Sequence, residues 1–118
     1  MAVGSRGRDE LELRESTAGP ARIVSVSGEL DLASSPRLSA LLDRLCSERA
    51  ALVLDLTGCT FIDSTGLAAI LHGARPLVSF SVVCGDGVPG ELLRMTAIDQ
   101  TIPVYAAVDE ALTAAGTA

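Results

Sequence analysis

The sequence predicts a single α/β domain. Its 118 residues are about the size of one domain, which excludes a two-domain enzyme. Segments with strand-like and helix-like apolar patterns follow each other in the order β-β-α-β-α-β-α-β-α. We therefore expect one sheet whose first two strands are antiparallel and whose later strands are joined by helical crossovers. The predicted domain covers residues 10–116.

The chain begins with a predicted disordered tail and a β-hairpin. Residues 1–9 are rich in Gly and Arg and contain little to bury, which is typical of a loose terminus. From Leu11 to Arg14 apolar and charged residues alternate, and a Thr-Ala-Gly-Pro turn follows at 17–20. The apolar residues in segment 22–27 predict the second strand of the hairpin.

The next two elements are a helix and the predicted central strand. Ser35 is a candidate helix cap and Pro36 suits the first helical position. A helix is expected over residues 36–49, and the almost continuously apolar segment 51–56 is typical of a strand that is covered on both faces. The leucines of the helix recur at i, i+3, i+4 and i+7, at positions Leu38, Leu41, Leu42 and Leu45.

The remaining elements follow a predicted turn at Gly58. Asp63 or Ser64 can cap a second helix, which Gly73 and Pro76 end after little more than two turns. The apolar face of that helix is predicted to contain Leu67, Ile70, Leu71 and Ala74. Further predictions are a strand at 78–84, a loop at 85–90, a helix at 91–98, an edge strand at 102–105 and a helix at 108–115.

Composition excludes several classes of function. The formal net charge is −6 and all nine basic residues are Arg, scattered along the chain, so a nucleic-acid partner is not expected. The absence of Lys excludes a Schiff-base enzyme and a Walker phosphate loop. Because Phe61, Phe80 and Tyr105 are the only aromatic residues, the core is expected to be aliphatic.

The cysteines and the apolar runs indicate a cytoplasmic protein without a membrane segment. Cys46, Cys59 and Cys84 have the number and spacing of neither a disulfide framework nor a zinc site, so we interpret them as reduced thiols. Cys59 is expected to be a small core residue. No apolar run approaches the ~20 residues of a membrane helix, and no signal peptide is predicted.

The segment Phe61-Ile62-Asp63-Ser64-Thr65-Gly66-Leu67 is the most informative part of the chain. It lies where the central strand ends and a helix begins, and a helix N-terminus favours a phosphate through its dipole and its unpaired N–H groups. Ser64 is therefore a candidate acceptor of a phosphoryl group. The alternative is that Asp63 and Ser64 only cap the helix.

Several motifs in fixed order resemble those of the STAS-domain anti-sigma-factor antagonists. They are Gly28-Glu29-Leu30-Asp31, the strand ending near Asp55, the Phe61–Leu67 segment, and the segments 91–99 and 102–105. The resemblance spans about residues 11–115. It implies a four- to five-stranded sheet with helices mainly on one face.

This resemblance also implies a function without catalysis or cofactor. The unphosphorylated form would bind an anti-sigma factor with serine kinase activity and release a sigma factor. Phosphorylation of Ser64 would end that binding, and a phosphatase would reverse it. The residues implied in partner binding are Glu29, Asp31, Asp63, Ser64, Thr65 and Gly66.

Two alternatives come from other classes of protein. One is a STAS scaffold or ligand-sensing domain of a transporter or signalling complex, without phosphorylation. The other is a receiver-like or hydrolytic enzyme, in which Asp31, Asp55 and Asp63 would hold Mg²⁺. The absent Lys and the single His72, interpreted as a surface residue, argue against the enzyme.

Overall fold

The computed structural model describes residues 10–48, 51–73, 79–85, 88–96 and 102–115. The predicted tail at 1–9 and the predicted domain end at 116 lie outside these ranges. The order of strands and helices is the predicted one. The elements are β1 (Glu12–Ala18), β2 (Ala21–Leu30), α1 (Ser35–Cys46), β3 (Ala51–Ile62), α2 (Ser64–Gly73), β4 (Phe80–Val83), α3 (Val88–Met95), β5 (Val104–Tyr105) and α4 (Val108–Ala114).

The five strands of the described residues form one mixed sheet in the order β1-β2-β3-β4-β5. β1 pairs antiparallel with β2, as the hairpin prediction requires, and each later pair is parallel. β3 is the central strand and β5 lies at an edge, so both sequence predictions are confirmed. Because β2 and β3 are parallel, their carboxyl ends lie at the same end of the sheet.

Helices cover the two faces of the sheet unequally. The larger apolar cluster joins one face to α1, α2 and α3 through residues such as Leu30, Leu38, Leu54, Ile70 and Leu93. Side chains alternate between the faces of a strand, and a smaller cluster packs α4 against the opposite face. The core is mainly aliphatic, as the composition predicts.

Two small residues, Ser35 and Gly58, have other positions than predicted. Ser35 is the first residue of α1 and is buried, and Ser34 occupies the N-cap position without a side-chain capping bond. Gly58 lies inside β3 instead of in a turn, opposite Ser27 of β2. A Cβ at Gly58 would lie 3.0 Å from the Ser27 Cβ, so the missing side chain permits close approach of the strands.

Two helices also differ from their predicted form. α3 begins at Val88, before the predicted Glu91, so Gly90 is part of the helix and not of a loop. A Cβ at Gly90 would lie only 2.3 Å from the Gly85 carbonyl oxygen. α2 has ten residues, close to three turns, and Leu71 is 44% exposed, so its assignment to the core is wrong. The predicted core residue Ala74 lies outside the described residues.

The three cysteines are buried and form no disulfide, which confirms their interpretation as thiols. Within the described residues no helix is long and apolar enough to cross a membrane.

Candidate functional site

The ends of β2 and β3 bring the two site motifs together. Glu29 pairs with Phe61 and Leu30 pairs with Ile62 in the strand register. The Asp63 N–H continues this contact by donating to the Leu30 carbonyl oxygen at 3.2 Å. The motif that contains Asp31 therefore lies directly beside the start of α2.

Asp63 caps α2 with its side chain. Its Oδ1 accepts hydrogen bonds from the N–H groups of Thr65 and Gly66 at 2.9 and 3.1 Å and from the Thr65 hydroxyl at 2.5 Å. The Thr65 hydroxyl lowers the pKa of Asp63 below its ordinary value, and the N–H groups of Gly66, Thr65 and Leu32 act in the same direction. The carboxylate is therefore ionised at neutral pH, and it holds the start of the helix to the loop that contains Leu32.

Gly66 allows α2 to approach the end of β2. A Cβ at this position would lie 2.7 Å from the Leu30 carbonyl oxygen and 2.8 Å from Ile62 Cγ1. Gly28, on the same strand as Leu30, has a φ of 90°, which L-residues with a side chain rarely adopt. Gly66 therefore permits a close approach of two elements, and Gly28 permits a backbone conformation that favours glycine.

Ser64 and Thr65 are neighbours with different environments. Ser64 is the first residue of α2 and is exposed. Thr65 is half-buried and its hydroxyl donates to Asp63. Ser64 consequently presents the more accessible hydroxyl of the pair.

The loop between β2 and α1 is held by its own side chains. Asp31 Oδ1 accepts hydrogen bonds from the N–H groups of Ala33 and Ser34, both at 3.1 Å. The Ser34 hydroxyl accepts from the Asp31 N–H at 3.0 Å and donates to the Glu29 carbonyl at 2.9 Å. These bonds fix the backbone on both sides of Leu32.

An open cleft of about 510 Å³ lies between this loop and the start of α2, lined by Asp31, Leu32, Ala33, Phe61 and Asp63. Leu32 is 73% exposed and Phe61 is 43% exposed. Sequence reasoning missed both residues. The one sequence signal for Leu32 is its position between the end of β2 and the N-cap of α1. There it belongs to the apolar pattern of neither element, so the pattern gives no reason for its burial.

The remaining candidate residues do not join this site. Asp55 is not among the cleft-lining residues, and its Oδ1 accepts hydrogen bonds from the Thr57 N–H and hydroxyl. No group of three His, Cys, Asp or Glu side chains among the described residues is placed to hold a metal ion. His72 is exposed and lies 2.7 Å from Asp43, which confirms it as a surface residue.

Cys59 lies near the site but is buried. Its Sγ is 3.3 Å from the Phe61 carbonyl oxygen. Burial raises the pKa of its thiol, so the neutral form is favoured and the residue suits the core role predicted for it.

Comparisons with known proteins agree on one family. The family model described as "STAS domain" matches residues 12–111. The anti-sigma-F factor antagonist RsfB of Mycobacterium tuberculosis strain H37Rv is 26% identical over 95 residues, which cover 77% of this chain and 78% of the relative.

Solved structures show the same fold. An anti-sigma factor antagonist from Mycobacterium paratuberculosis superposes with a TM-score of 0.85 at 29% identity, over 90% of this chain and 94% of that one. The Bacillus protein SpoIIAA in its unphosphorylated form superposes with a TM-score of 0.70 at 14% identity, over 92% and 99% of the two chains.

Proposed function

Because the chain belongs to the STAS domain family, we propose that it acts as an anti-sigma-factor antagonist in the cytoplasm. Its unphosphorylated form binds an anti-sigma factor that has serine kinase activity, and a sigma factor is thereby released. Phosphorylation of Ser64 ends the binding, and a phosphatase restores it. The chain contributes a binding surface to this cycle and needs no cofactor of its own.

The position of Ser64 is the observation that carries this proposal. The serine is exposed at the first position of α2, beside the cleft-lining Asp63. A kinase active site needs an accessible hydroxyl on a segment that it can surround, and Ser64 provides one at an edge of the sheet. Two further residues proposed for partner binding, Asp31 and Asp63, belong to the same surface. The others support its backbone; they are Glu29, Thr65 and Gly66.

Hydrogen bonding at the start of α2 suggests how a phosphate would act. The N–H groups of Thr65 and Gly66 already donate to the Asp63 carboxylate. A phosphate on Ser64 would therefore lie next to an existing negative charge, and these two donors would be occupied. A helix dipole favours an exposed anion by only ~0.3–1 kcal/mol, whereas like charges brought together across an interface cost several kcal/mol.

The relatives support the proposal through their names. RsfB and the Mycobacterium paratuberculosis protein are both described as anti-sigma factor antagonists. SpoIIAA has been solved in an unphosphorylated and a phosphorylated form on the same fold.

The test is phosphorylation by each purified kinase-type anti-sigma factor of the source organism, with ATP and Mg²⁺. We expect one phosphate, located on Ser64 by mass spectrometry. Ser64→Ala should accept none, while the matched variant Thr65→Val should still accept one. A phosphate on Thr65, or no phosphate from kinases that modify another antagonist, would refute the assignment.

A further inference from the structure

We infer that Leu32 and Phe61 form the apolar centre of the partner-binding surface, and that the anti-sigma factor contacts them with an apolar side chain flanked by Arg or Lys. This inference rests on the proposed function. We call the surface the Leu32–Phe61 patch; it comprises these two side chains and the cleft-lining carboxylates Asp31 and Asp63.

The exposure of the patch is unusual for this chain. Large apolar side chains that remain exposed in the described part of the chain are Leu32, Phe61, Leu71 and Met95. Leu32 and Phe61 line one cleft, although they come from different elements, whereas Leu71 and Met95 do not line it. Two exposed apolar side chains that share a cleft form a surface that a partner can cover.

The backbone of the patch is held by contacts within this chain. Hydrogen bonds from Asp31 and Ser34 hold the loop on both sides of Leu32. Phe61 lies on β3, where it pairs with Glu29 of β2. An apolar side chain held on a fixed backbone loses little conformational freedom on binding, so its burial contributes more fully to affinity.

The charges around the patch select the chemistry of the partner. Among the described residues that line the cleft, two are acidic and none is basic, and the formal charge of the chain is −6. An apolar centre with a charged rim is the usual organisation of a protein interface, and acidic rims pair with basic ones. A partner surface with an apolar side chain next to Arg or Lys matches both features.

This arrangement also relates the patch to Ser64. The Asp63 carboxylate accepts the Leu32 N–H and precedes Ser64 directly in the chain. A phosphate on Ser64 would add negative charge where the cationic side chain of the partner and the carboxylates of this chain meet. The patch would then supply the affinity for the anti-sigma factor, and phosphorylation of Ser64 would regulate that affinity.

The test is calorimetric titration of four variants with the anti-sigma factor that binds the wild-type chain. Leu32→Ser and Phe61→Ser remove the patch. Met95→Ser and Leu71→Ser are matched controls, since Met95 is 80% and Leu71 is 44% exposed. We expect each patch variant to lose at least ~10-fold in affinity and each control to stay within about twofold, as for central and peripheral contacts. Thermal unfolding of all four verifies that they fold.

The outcomes separate this inference from the proposed function. If the wild-type chain binds none of the kinase-type anti-sigma factors, the proposed function is wrong. If the wild type binds but Leu32→Ser and Phe61→Ser bind equally well, the inference is overturned and the function stands. Affinity that is unchanged between about 0.05 and 0.5 M salt would contradict a cationic partner rim. Loss of self-association in Leu32→Ser, with anti-sigma binding intact, would assign the patch to a second copy of this chain.

Discussion

Asp63 connects the start of α2, the loop after β2 and the surroundings of Ser64. Its carboxylate caps α2 through Thr65 and Gly66, accepts the Leu32 N–H of the opposite loop, and lies next to Ser64. Its own N–H donates to Leu30. One side chain therefore fixes the helix start, the loop and the surroundings of the proposed phosphorylation site.

The ionised form of Asp63 should stabilise the fold in a pH-dependent way. The folded-state pKa lies below the ordinary value of 3.8, so the stabilisation is complete above that value and is lost as the pH falls through the folded-state pKa. We expect Asp63→Asn to be less stable than the wild type at pH 7 by ~0.3–1 kcal/mol, because the amide can still cap the helix but lacks the negative charge that the helix N-terminus favours.

Urea unfolding at neutral pH and at acidic pH below the ordinary Asp pKa tests this expectation. The gap between wild type and Asp63→Asn should narrow at the acidic pH. Glu12→Gln, an exposed change on β1, serves as the control. A gap of the same size at both pH values would show that the charge of Asp63 does not stabilise the fold.

At the scale of elements, α2 shows where hydrophobic periodicity misleads. The sequence pattern predicts an apolar face of Leu67, Ile70, Leu71 and Ala74. The buried residues of α2 are Gly66, Leu67, Ala69, Ile70 and Gly73. Small residues face inward because the helix packs closely. A Cβ at Gly73 would lie 2.9 Å from Leu42 Cδ1 and 3.1 Å from Phe80 Cε1. Hydrophobicity alone does not reveal how near two elements approach, so Leu71 was assigned wrongly.

Truncation of the two leucines of α2 should therefore have unequal effects. Leu67 is 8% exposed and Leu71 is 44% exposed. Leu67→Ala should cost ~2–5 kcal/mol of unfolding free energy, as large-to-small core changes do. Leu71→Ala should cost less than about 1 kcal/mol, because little of its contact with the protein is lost. Denaturant unfolding of the pair decides the matter, and equal losses would mean that the exposed face of α2 has been misassigned.

The glycine at the start of α2 should be equally sensitive. Gly66→Ala places a methyl group 2.7 Å from the backbone oxygen of Leu30, which cannot move without disturbing β2. Alanine normally favours a helix over glycine by about 1 kcal/mol, yet we expect a net loss because overpacking costs ~1–3 kcal/mol. Gly85→Ala is the control, since nothing lies within 4 Å of its added Cβ. A higher melting temperature for Gly66→Ala would contradict the close approach.

For the whole molecule, the order of elements followed from the sequence because each strand and helix has its own apolar period. Asp31 and Asp63 line one cleft because each follows one of two neighbouring parallel strands, β2 and β3, whose carboxyl ends lie on the same side of the sheet. Gly58 was wrongly placed in a turn, because a glycine in a strand interior looks the same in sequence as one in a loop. The exposure of Leu32 and Phe61 depends on the tertiary packing around them, which the local sequence pattern does not predict.

The structure around Ser64 leaves the proposed switch little freedom to work by rearrangement. The site is built on the ends of two paired strands, a helix capped by the Asp63 side chain and a loop held by hydrogen bonds of Asp31 and Ser34. Phosphorylation of Ser64 should therefore leave the fold almost unchanged and alter only the charge at the interface. The far-ultraviolet circular dichroism and the melting temperature of the phosphorylated form should stay close to those of the unmodified protein.

The most direct test of the central claim is calorimetric titration of the unmodified and the Ser64-phosphorylated protein with the same anti-sigma factor. A phosphoserine adds about −1.5 to −2 charges at neutral pH. We expect affinity to fall by at least ~100-fold, equivalent to about 2.7 kcal/mol. Ser64→Ala should bind like the unmodified protein, and Ser64→Glu should bind more weakly than Ser64→Ala. Equal affinities of the phosphorylated and unmodified forms would contradict an electrostatic switch at Ser64.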